Sequence, residues 1–224
     1  MQSCFWDWES SLPREPSADA EAWLAGVSRE TRMRLQVYHD LLIRWQRVKN
    51  LVSRNSIGDV WRRHFRDSAQ LLRFAPLQST WIDIGSGAGF PGLVLAILFT
   101  EYHPNSTVHL VESDHRKCAF LRDVVRETQA NVTVHCGRIE EVVGGLPPID
   151  IITARALAPL ETLIEYSMPM LENGAQALFL KGRDVESELI AASKYSMMDI
   201  QLIASETDPD GRVVIIRKQT IPGV

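Results

Sequence analysis

The residues best suited to chemistry in this chain are three glycines that follow a short apolar run. Gly85, Gly87 and Gly89 stand at alternate positions after the strand-like segment 81–84, and an apolar helical run follows them. Glycine lacks a Cβ atom, so its backbone can turn sharply and approach a ligand closely. A helix that begins just after such a turn directs free N–H groups toward that ligand. The pattern therefore predicts a site for a nucleotide-like cofactor.

The glycines fit two frames, which predict different cofactors. Gly87, Gly89 and Gly92 match the G-x-G-x-x-G pattern of dinucleotide-binding folds, a weak signal when it stands alone. The other frame starts at Asp83 and is typical of enzymes that use S-adenosylmethionine (AdoMet). A second strand-like run ends at Glu112, about 20 residues further on, where an acid accepts hydrogen bonds from ribose hydroxyls. Glu112 suits either cofactor.

Strand-like and helical segments alternate from about residue 76 onward. The strand-like segments are 81–84, 108–112, 132–136, 149–153, 177–181, 200–205 and 213–217, and the helical ones are 93–99, 115–129, 160–171 and 185–195. Such alternation predicts an α/β fold, with a parallel sheet covered by helices on both faces. The Asp210-Gly211 turn signal makes the last two strands an antiparallel hairpin. Seven strands that end in a hairpin favour the AdoMet-binding fold over the six-stranded dinucleotide fold.

Charge divides the chain near residue 75. We predict a helical extension over residues 1–75, basic from about residue 28, and an AdoMet-binding domain over 76–224. Residues 28–75 contain eleven Arg or Lys against four acids, although the whole chain carries a net charge of −4. Apolar residues at helical spacing predict an amphipathic helix in this block: Leu35, Tyr38, Leu42 and Trp45. Residues 9–21 have the composition of a flexible lead.

The one-signed charge of residues 28–75 predicts a role in binding nucleic acid. A solvated helix face does not require a single sign of charge, whereas basic surface neutralises phosphates and adds salt-sensitive affinity. We predict that Arg62, Arg63 and Arg66 contact RNA. The acidic remainder of the chain argues against nonspecific coating of nucleic acid and favours a defined, structured target.

Composition excludes several other classes. At 45% hydrophobic and 23% charged residues, the chain resembles an ordinary globular protein, and no apolar run reaches the roughly 18 residues of a membrane span. The N-terminal ten residues carry acids where a signal peptide needs basic residues. Cys4, Cys118 and Cys136 show no metal-ligand spacing. We therefore expect a cytoplasmic, reduced protein without a metal or a membrane partner.

If AdoMet is the cofactor, it donates a methyl group, and the absence of two motifs narrows the choice of atoms that could accept it. Methylation of a base amino group is usually associated with an acid or Asn followed by Pro-Pro and an aromatic after the fourth strand, but the sequence there is Thr153-Ala154-Arg155. Methylation of cytosine carbon needs a cysteine nucleophile, and neither Cys118 nor Cys136 has that context. A ring nitrogen with a free lone pair, such as guanine N7, needs no catalytic residue beyond correct positioning.

Several segments of the chain resemble one known family. They are RRHFRDSAQLL, DIGSGAGFPGLVLAI, VESDHRKCAFLRDVVRE, GRIEE, ITARALAPL and LKGR. Together, and in this order, they resemble the bacterial 16S ribosomal RNA guanine-N7 methyltransferases, also called RsmG or glucose-inhibited division protein B (GidB). The resemblance covers roughly residues 35 to 185. It implies a class I methyltransferase fold with a seven-stranded, mostly parallel sheet preceded by N-terminal helices.

The resemblance also implies site residues. Gly85 and Phe90 match contacts of the AdoMet loop, and Ile139 and Glu140 match a pair that lines the adenine. Glu112 matches the family's ribose acid in type.

Other matches to the family leave roles open. Arg155 matches an arginine on either the cofactor side or the substrate side. His64 and Asp67 match an H-x-x-D-S element that is either structural or RNA-facing. Lys181 and Arg183 follow the next strand on the same edge as Arg155, where we predict phosphate contacts, although Lys181 could instead extend from a buried strand end.

The sequence thus predicts an enzyme that methylates N7 of one guanine in 16S rRNA of the small ribosomal subunit, with AdoMet as cofactor. Three alternatives stay open: a methyltransferase for another RNA or a small metabolite, an NAD-dependent oxidoreductase, and a noncatalytic RNA-binding factor. A small-molecule enzyme has no need of the basic block, and the terminal hairpin argues against the oxidoreductase. The identity of the guanine, and whether the substrate is naked rRNA or an assembled subunit, stay open. No apolar stripe demands a dimer, so we expect a monomer.

Overall fold

The computed structural model describes residues 22–219, so the predicted lead at 9–21 falls outside it. Its α-helices are α1 (Arg29–Gln46), α2 (Arg54–Ile57), α3 (Asp67–Ala69), α4 (Gly92–Tyr102), α5 (His115–Thr128), α6 (Ile139–Val142), α7 (Leu160–Glu172) and α8 (Val185–Ala192). A π-helical turn (Trp61–Arg66) leads into α3, and 3₁₀ turns occupy Gln70–Phe74 and Val143–Gly145. The strands are β1 (Thr80–Ile84), β2 (Thr107–Glu112), β3 (Val132–Cys136), β4 (Ile151–Arg155), β5 (Gln176–Lys181), β6 (Met198–Ala204) and β7 (Arg212–Lys218).

The strands form one seven-stranded sheet in the order β3-β2-β1-β4-β5-β7-β6. All pairings among the first five strands are parallel, and β7 runs antiparallel to both β5 and β6. The predicted fold class and the terminal hairpin are therefore confirmed. The chain order reverses between β1 and β4, and open α/β sheets bind ligands beside the strand ends at such a point.

Strand β4 begins two residues later than the pattern predicted, at Ile151 rather than residue 149. Pro147 and Pro148, which precede this segment, have no N–H to donate to a ladder. The backbone of Asp150 already bonds Thr80 and Gln176, each at 2.9 Å, but regular pairing begins only at Ile151. The shift makes Arg155 the last residue of β4. Its side chain therefore leaves the sheet at the carboxyl edge.

The N-terminal helices share a hydrophobic core with the sheet. Leu35, Tyr38 and Leu42 of α1 are fully buried, and Trp45 packs against the same core, which confirms the predicted apolar face. Helix α1 lies against α5 and α4. Helix α4 is buried on nearly all sides because its residues from Gly92 to Phe99 are almost all apolar. Burial of this extent brings residues 29–75 up to the carboxyl edge of β1 and β4. The predicted boundary near residue 75 stays a prediction.

None of the helices between residues 22 and 219 has the length and apolar character to cross a membrane.

Candidate cofactor and acceptor site

The loop after β1 turns through three glycines with positive φ angles. Gly85, Gly87 and Gly89 have φ values of +66°, +56° and +91°, a region that side chains rarely adopt. An added Cβ on Gly87 would meet only the carbonyl oxygen of Gly85, at 3.8 Å, so this position faces open space. One on Gly89 would collide with Leu93 and the Tyr38 hydroxyl. Gly87 therefore lies on the open side of the loop, and Gly89 permits close packing behind it.

Asp83, the acid that leads the glycine series, braces the loop from inside. It is 1% exposed, and its carboxylate accepts from the Thr153 hydroxyl at 2.9 Å and from the Gly92 N–H at 3.4 Å. These bonds tie β1 to β4 and to the start of α4. Asp83 therefore shapes the loop and is too deeply buried to contact a ligand.

Burial raises the pKa of Asp83 to about 7, against the hydrogen bond from Thr153, which lowers it. The folded state therefore binds the proton of the Asp83 carboxyl group more tightly than the unfolded state does. As a result, the contribution of Asp83 to the free energy of unfolding falls as the pH rises from about 4 to about 7. We therefore compare the free energy of unfolding of Asp83→Asn with that of the unmodified protein. The difference should shift in favour of the variant by roughly 3 kcal/mol as the pH rises from 5 to 8. Urea unfolding of both proteins across this range measures the gain, and a difference that does not change with pH would contradict it.

Glu112 ends β2 beside the glycine loop. Its carboxylate accepts from the Gly87 N–H at 2.9 Å and from the Asp114 N–H at 2.8 Å, so both oxygens have fixed positions. The Glu112 carbonyl accepts from the Gly137 N–H at 3.0 Å, which holds the chain entering α6 nearby. Ile139 and Glu140 occupy the first turn of α6. Three segments distant in sequence thus meet, as the predicted cofactor site requires.

A cavity of about 940 Å³ lies at this edge of the sheet. At one end it is lined by the glycine loop and the residues beyond β2 and β3, namely Gly85, Gly87, Glu112, Ile139 and Glu140. At the other end it is lined by Ser53, Ser56, Arg62, Arg63, His64, Asp67 and the loop between β6 and β7, residues 205–211. Phe90 lies between the two ends, with its ring centre 5.0 Å from that of His64. Arg155, Leu157 and Lys181 also line the cavity. Pockets for single ligands span roughly 300–1,000 Å³, so this cavity is at the large end.

Arg155 joins the sheet to the N-terminal helices. Its guanidinium donates to the carbonyl of Arg63 at 2.9 Å and to the His64 ring at Nδ1, and it lies 3.5 Å from the Asp67 carboxylate. The same group stands 5.1 Å from the centre of the Phe90 ring. Arg155 is therefore a largely buried cation at the wall of the cavity.

His64 and Asp67 both contact Arg155. Their motif was predicted to be either structural or RNA-facing. His64 is 8% exposed, and burial together with the Arg155 charge lowers its pKa to about 2. The Asp67 carboxylate accepts from the Thr207 hydroxyl at 2.6 Å and from the Gln70 amide at 2.8 Å. The H-x-x-D-S element thus links Arg155 to the loop 205–211.

The other predicted RNA contacts differ in how they reach the cavity. Arg62 pairs with Asp59 at 2.6 Å and donates to the Thr207 carbonyl at 3.2 Å. Lys181 is mostly buried, bonded to Glu188 at 2.6 Å and to the Ala158 carbonyl at 3.0 Å. Arg63 is exposed at the cavity rim.

Two of the residues predicted to contact RNA do not line the cavity. Arg183 is exposed and Arg66 half-buried, and neither is among the residues that line the cavity.

Sequence reasoning missed four features of the site. The Tyr38 hydroxyl donates to the Ala88 carbonyl at 2.5 Å, so α1 holds the glycine loop, yet the helical pattern marked Tyr38 only as a core residue. Leu157 covers Gly85, whose added Cβ would collide with it. The loop 205–211 carried only a turn signal. Positive φ at Ala156, directly after Arg155, is likewise invisible in the sequence.

Within residues 22–219, no group of three or more His, Cys, Asp or Glu side chains could hold a metal ion.

Comparison with known proteins identifies the family. A model of the family described as rRNA small subunit methyltransferase G (GidB) matches residues 31–207. The chain belongs to this family. A relative named ribosomal RNA small subunit methyltransferase G, from Methylobacterium sp. (strain 4-46), is 48% identical over 198 residues, which are 88% of this chain and 93% of the relative. A relative of the same name from Parvibaculum lavamentivorans is 45% identical over 93% of this chain and 92% of its own length. The resemblance seen in the sequence is confirmed.

Solved structures of methyltransferases share the fold of this family member. A SAM-dependent methyltransferase from Aquifex aeolicus superposes with a TM-score of 0.52 at 15% identity, over 67% of this chain and 89% of that one. The precorrin-6y C5,15-methyltransferase of Geobacter metallireducens gives a TM-score of 0.53 at 15% identity, over 76% and 92% of the two chains. At this identity the likeness shows the class I methyltransferase fold alone.

Proposed function

We propose that this member of the GidB family transfers the methyl group of AdoMet to N7 of one guanine in 16S rRNA of the small ribosomal subunit. The observation that carries the proposal is the single cavity that joins the glycine loop and Glu112 to the basic helical segment. One end has the features of a nucleotide site, and the other is rimmed by arginines. A small-metabolite enzyme has no use for the second end.

The residues at the glycine-loop end fit AdoMet. Gly87 leaves room for close approach, Gly85 packs against Leu157, and the fixed carboxylate of Glu112 can accept from ribose hydroxyls. Ile139 packs beside Glu140 at the start of α6, where an adenine ring needs an apolar face and a polar edge. Phe90 closes the inner wall. AdoMet supplies a methyl group that its sulfonium makes electrophilic.

The acceptor end carries no cysteine among the described residues that line it, and its one histidine is bonded on both ring nitrogens. Guanine N7 has a free lone pair and needs no base, so this chemistry suits the site. Rate enhancement then comes from holding the base in line with the methyl group.

Arg155 belongs on the acceptor side in this proposal. The sulfonium of AdoMet and the guanidinium carry the same charge, and their close approach costs energy. Guanine O6 is adjacent to N7 and is a strong acceptor for arginine. An Arg155–O6 contact would orient the base and leave N7 free.

The basic segment supplies phosphate contacts in this proposal, with Lys181 and Arg183 at the same edge. We expect the double substitution Arg63→Ala with Arg66→Ala to weaken RNA binding and to reduce the slope of log affinity against log salt by about 1 to 2. AdoMet affinity should hold. Titration of RNA at several salt concentrations measures both quantities.

The matched control for that pair is Arg217→Ala with Lys218→Ala. These residues end β7 at the opposite edge of the sheet, since Arg212 at its start pairs with Lys181. The control removes the same charge and should leave the salt slope unchanged. Equal slopes for the two double variants would refute a specific role for the basic segment.

The proposal includes a cytoplasmic location and action as a monomer without a metal. It is tested by incubating the protein with labelled AdoMet and ribosomal subunits from cells that lack this activity. Label in the RNA of the small subunit alone supports the proposal. Label in the large subunit, or in neither, contradicts the proposed substrate. Comparing whole small subunits with extracted 16S rRNA then distinguishes the two possible substrate forms.

A further inference from the structure

We propose that Ser56 and His64 are positioning residues for Arg155. They hold its guanidinium through a chain of hydrogen bonds, and the contacts at the two ends of the chain determine which atom donates each proton. The chain runs from the Ser53 carbonyl through Ser56 and His64 to the guanidinium. It presets Arg155 toward the acceptor base before RNA binds. The inference rests on the proposed function, because Arg155 acts there on the guanine.

The Ser56 hydroxyl fixes one end of the chain. It donates its only proton to the Ser53 carbonyl at 2.9 Å and accepts from the Ser53 hydroxyl at 2.9 Å. Its remaining lone pair faces His64 Nε2 at 2.8 Å. With its proton already used, Ser56 can only accept from this nitrogen, so His64 carries its proton on Nε2.

Arg155 fixes the other end independently. A guanidinium has five N–H donors and no acceptor, so the His64 Nδ1 that it contacts must be unprotonated. Both ends therefore demand the same neutral tautomer of His64. Burial and the Arg155 charge lower the His64 pKa to about 2, which keeps the ring neutral at any working pH. The ring is an acceptor of fixed direction.

Two further contacts complete the hold on Arg155. The Arg63 carbonyl accepts from Nη1 at 2.9 Å, and the Asp67 carboxylate lies 3.5 Å from the same nitrogen. Asp67 is itself held by Thr207 at 2.6 Å. Three N–H groups are thereby directed at residues of the helical segment 63–67. Among the described residues nothing accepts from the remaining donors, which suit guanine O6 at the cavity.

The test compares two substitutions of His64 that keep different halves of the ring. His64→Asn retains an acceptor oxygen near the position of Nδ1, so it can still receive Arg155. His64→Gln places its amide near Nε2, so it can bond Ser56 but not Arg155. We expect kcat/KM for methyl transfer to small-subunit RNA to fall about threefold in His64→Asn and at least about thirtyfold in His64→Gln. AdoMet Kd and the melting temperature should not separate the two.

Ser56→Ala tests the remote end without touching the ring. Losing its acceptor frees His64 to take the other tautomer, which repels Arg155, and we expect kcat/KM to fall about tenfold with AdoMet Kd within about twofold. Ser193→Ala is the control, since that hydroxyl also donates to a backbone carbonyl, at 2.7 Å, but Ser193 directly follows α8 and does not line the cavity.

The outcomes distinguish the inference from the proposed function. If the unmodified protein transfers no methyl group to small-subunit RNA, the proposed function fails. If it does, and His64→Asn and His64→Gln have equal kcat/KM, or activity across the variants follows the melting temperature, the positioning chain is wrong.

Discussion

Replacing Arg155 by lysine is expected to lower kcat/KM for methyl transfer to small-subunit RNA by at least about 100-fold, while AdoMet Kd changes by less than about threefold. Lysine keeps the charge but loses the planar fork that contacts Arg63, His64 and Asp67 at once. A loosely held ammonium cannot orient the acceptor base, and loss of orientation alone costs orders of magnitude in rate. Isothermal titration and steady-state kinetics measure the two quantities.

The control for this prediction is Arg138→Ala. Arg138 is exposed and lines the same cavity beside α6, so its loss removes a positive charge without disturbing the contacts of Arg155. We expect a change of less than about threefold. A comparable loss of activity in both variants would show that the reaction is sensitive to any change at the cavity wall and that the geometry of Arg155 has no special role. A large loss of AdoMet affinity in Arg155→Lys would move this residue to the cofactor side.

Replacing Gly87 by alanine is expected to weaken AdoMet binding at least about thirtyfold. The added methyl group would project into open space at the cavity wall, where the cofactor must approach the backbone. The positive φ of +56° adds a backbone cost of about 1 to 2 kcal/mol to the folded state. Thermal unfolding without ligand measures that cost separately from AdoMet affinity.

The variant Gly174→Ala separates the backbone strain of a positive φ angle from the occlusion of the cofactor site. Gly174 follows α7 with a φ of +95°, and an added Cβ there meets nothing within 4 Å. It therefore shares the backbone strain but lies outside the cavity. We expect both alanine variants to lose stability, and only Gly87→Ala to lose AdoMet affinity. If Gly87→Ala bound AdoMet normally, the acid-led glycine frame would not describe the cofactor site.

Local patterns were sufficient to predict most of the fold. Burial depends largely on residue type, which the sequence shows directly. Residue type was therefore enough to predict the apolar strands β1, β2 and β5 and the buried face of α1 that contains Leu35 and Tyr38. The glycines likewise marked the turn after β1. The same patterns gave Glu112 at the end of β2. The predicted bounds of β4 were wrong by two residues at each end, because a pattern of hydrophobicity does not show where a ladder of hydrogen bonds begins.

Contacts between distant segments could not be predicted this way. Arg155 and His64 are 91 residues apart, and nothing in either segment specifies the partner. The docking of loop 205–211 on Asp67 depends on β7 inserting between β5 and β6, a topology that the order of strands along the chain does not reveal. The raised pKa of Asp83 likewise follows from burial, which the motif alone does not quantify.

These long-range contacts give the N-terminal helices a part in the site itself. Tyr38 of α1 bonds the glycine loop, and the segment 61–67 holds Arg155. The basic surface and the cofactor site are therefore built on one core. An RNA bound along this segment lies next to the cavity in which we propose that the base is methylated.

The identity of the methylated nucleoside decides whether this protein methylates N7 of guanine. Small subunits from cells that lack this activity are incubated with the protein and labelled AdoMet, and the 16S rRNA is digested and analysed by mass spectrometry. We expect label in 7-methylguanosine alone, at about one methyl group per subunit. Label in any other nucleoside would contradict methylation at N7. Binding of AdoMet without any label in the RNA would contradict a catalytic role.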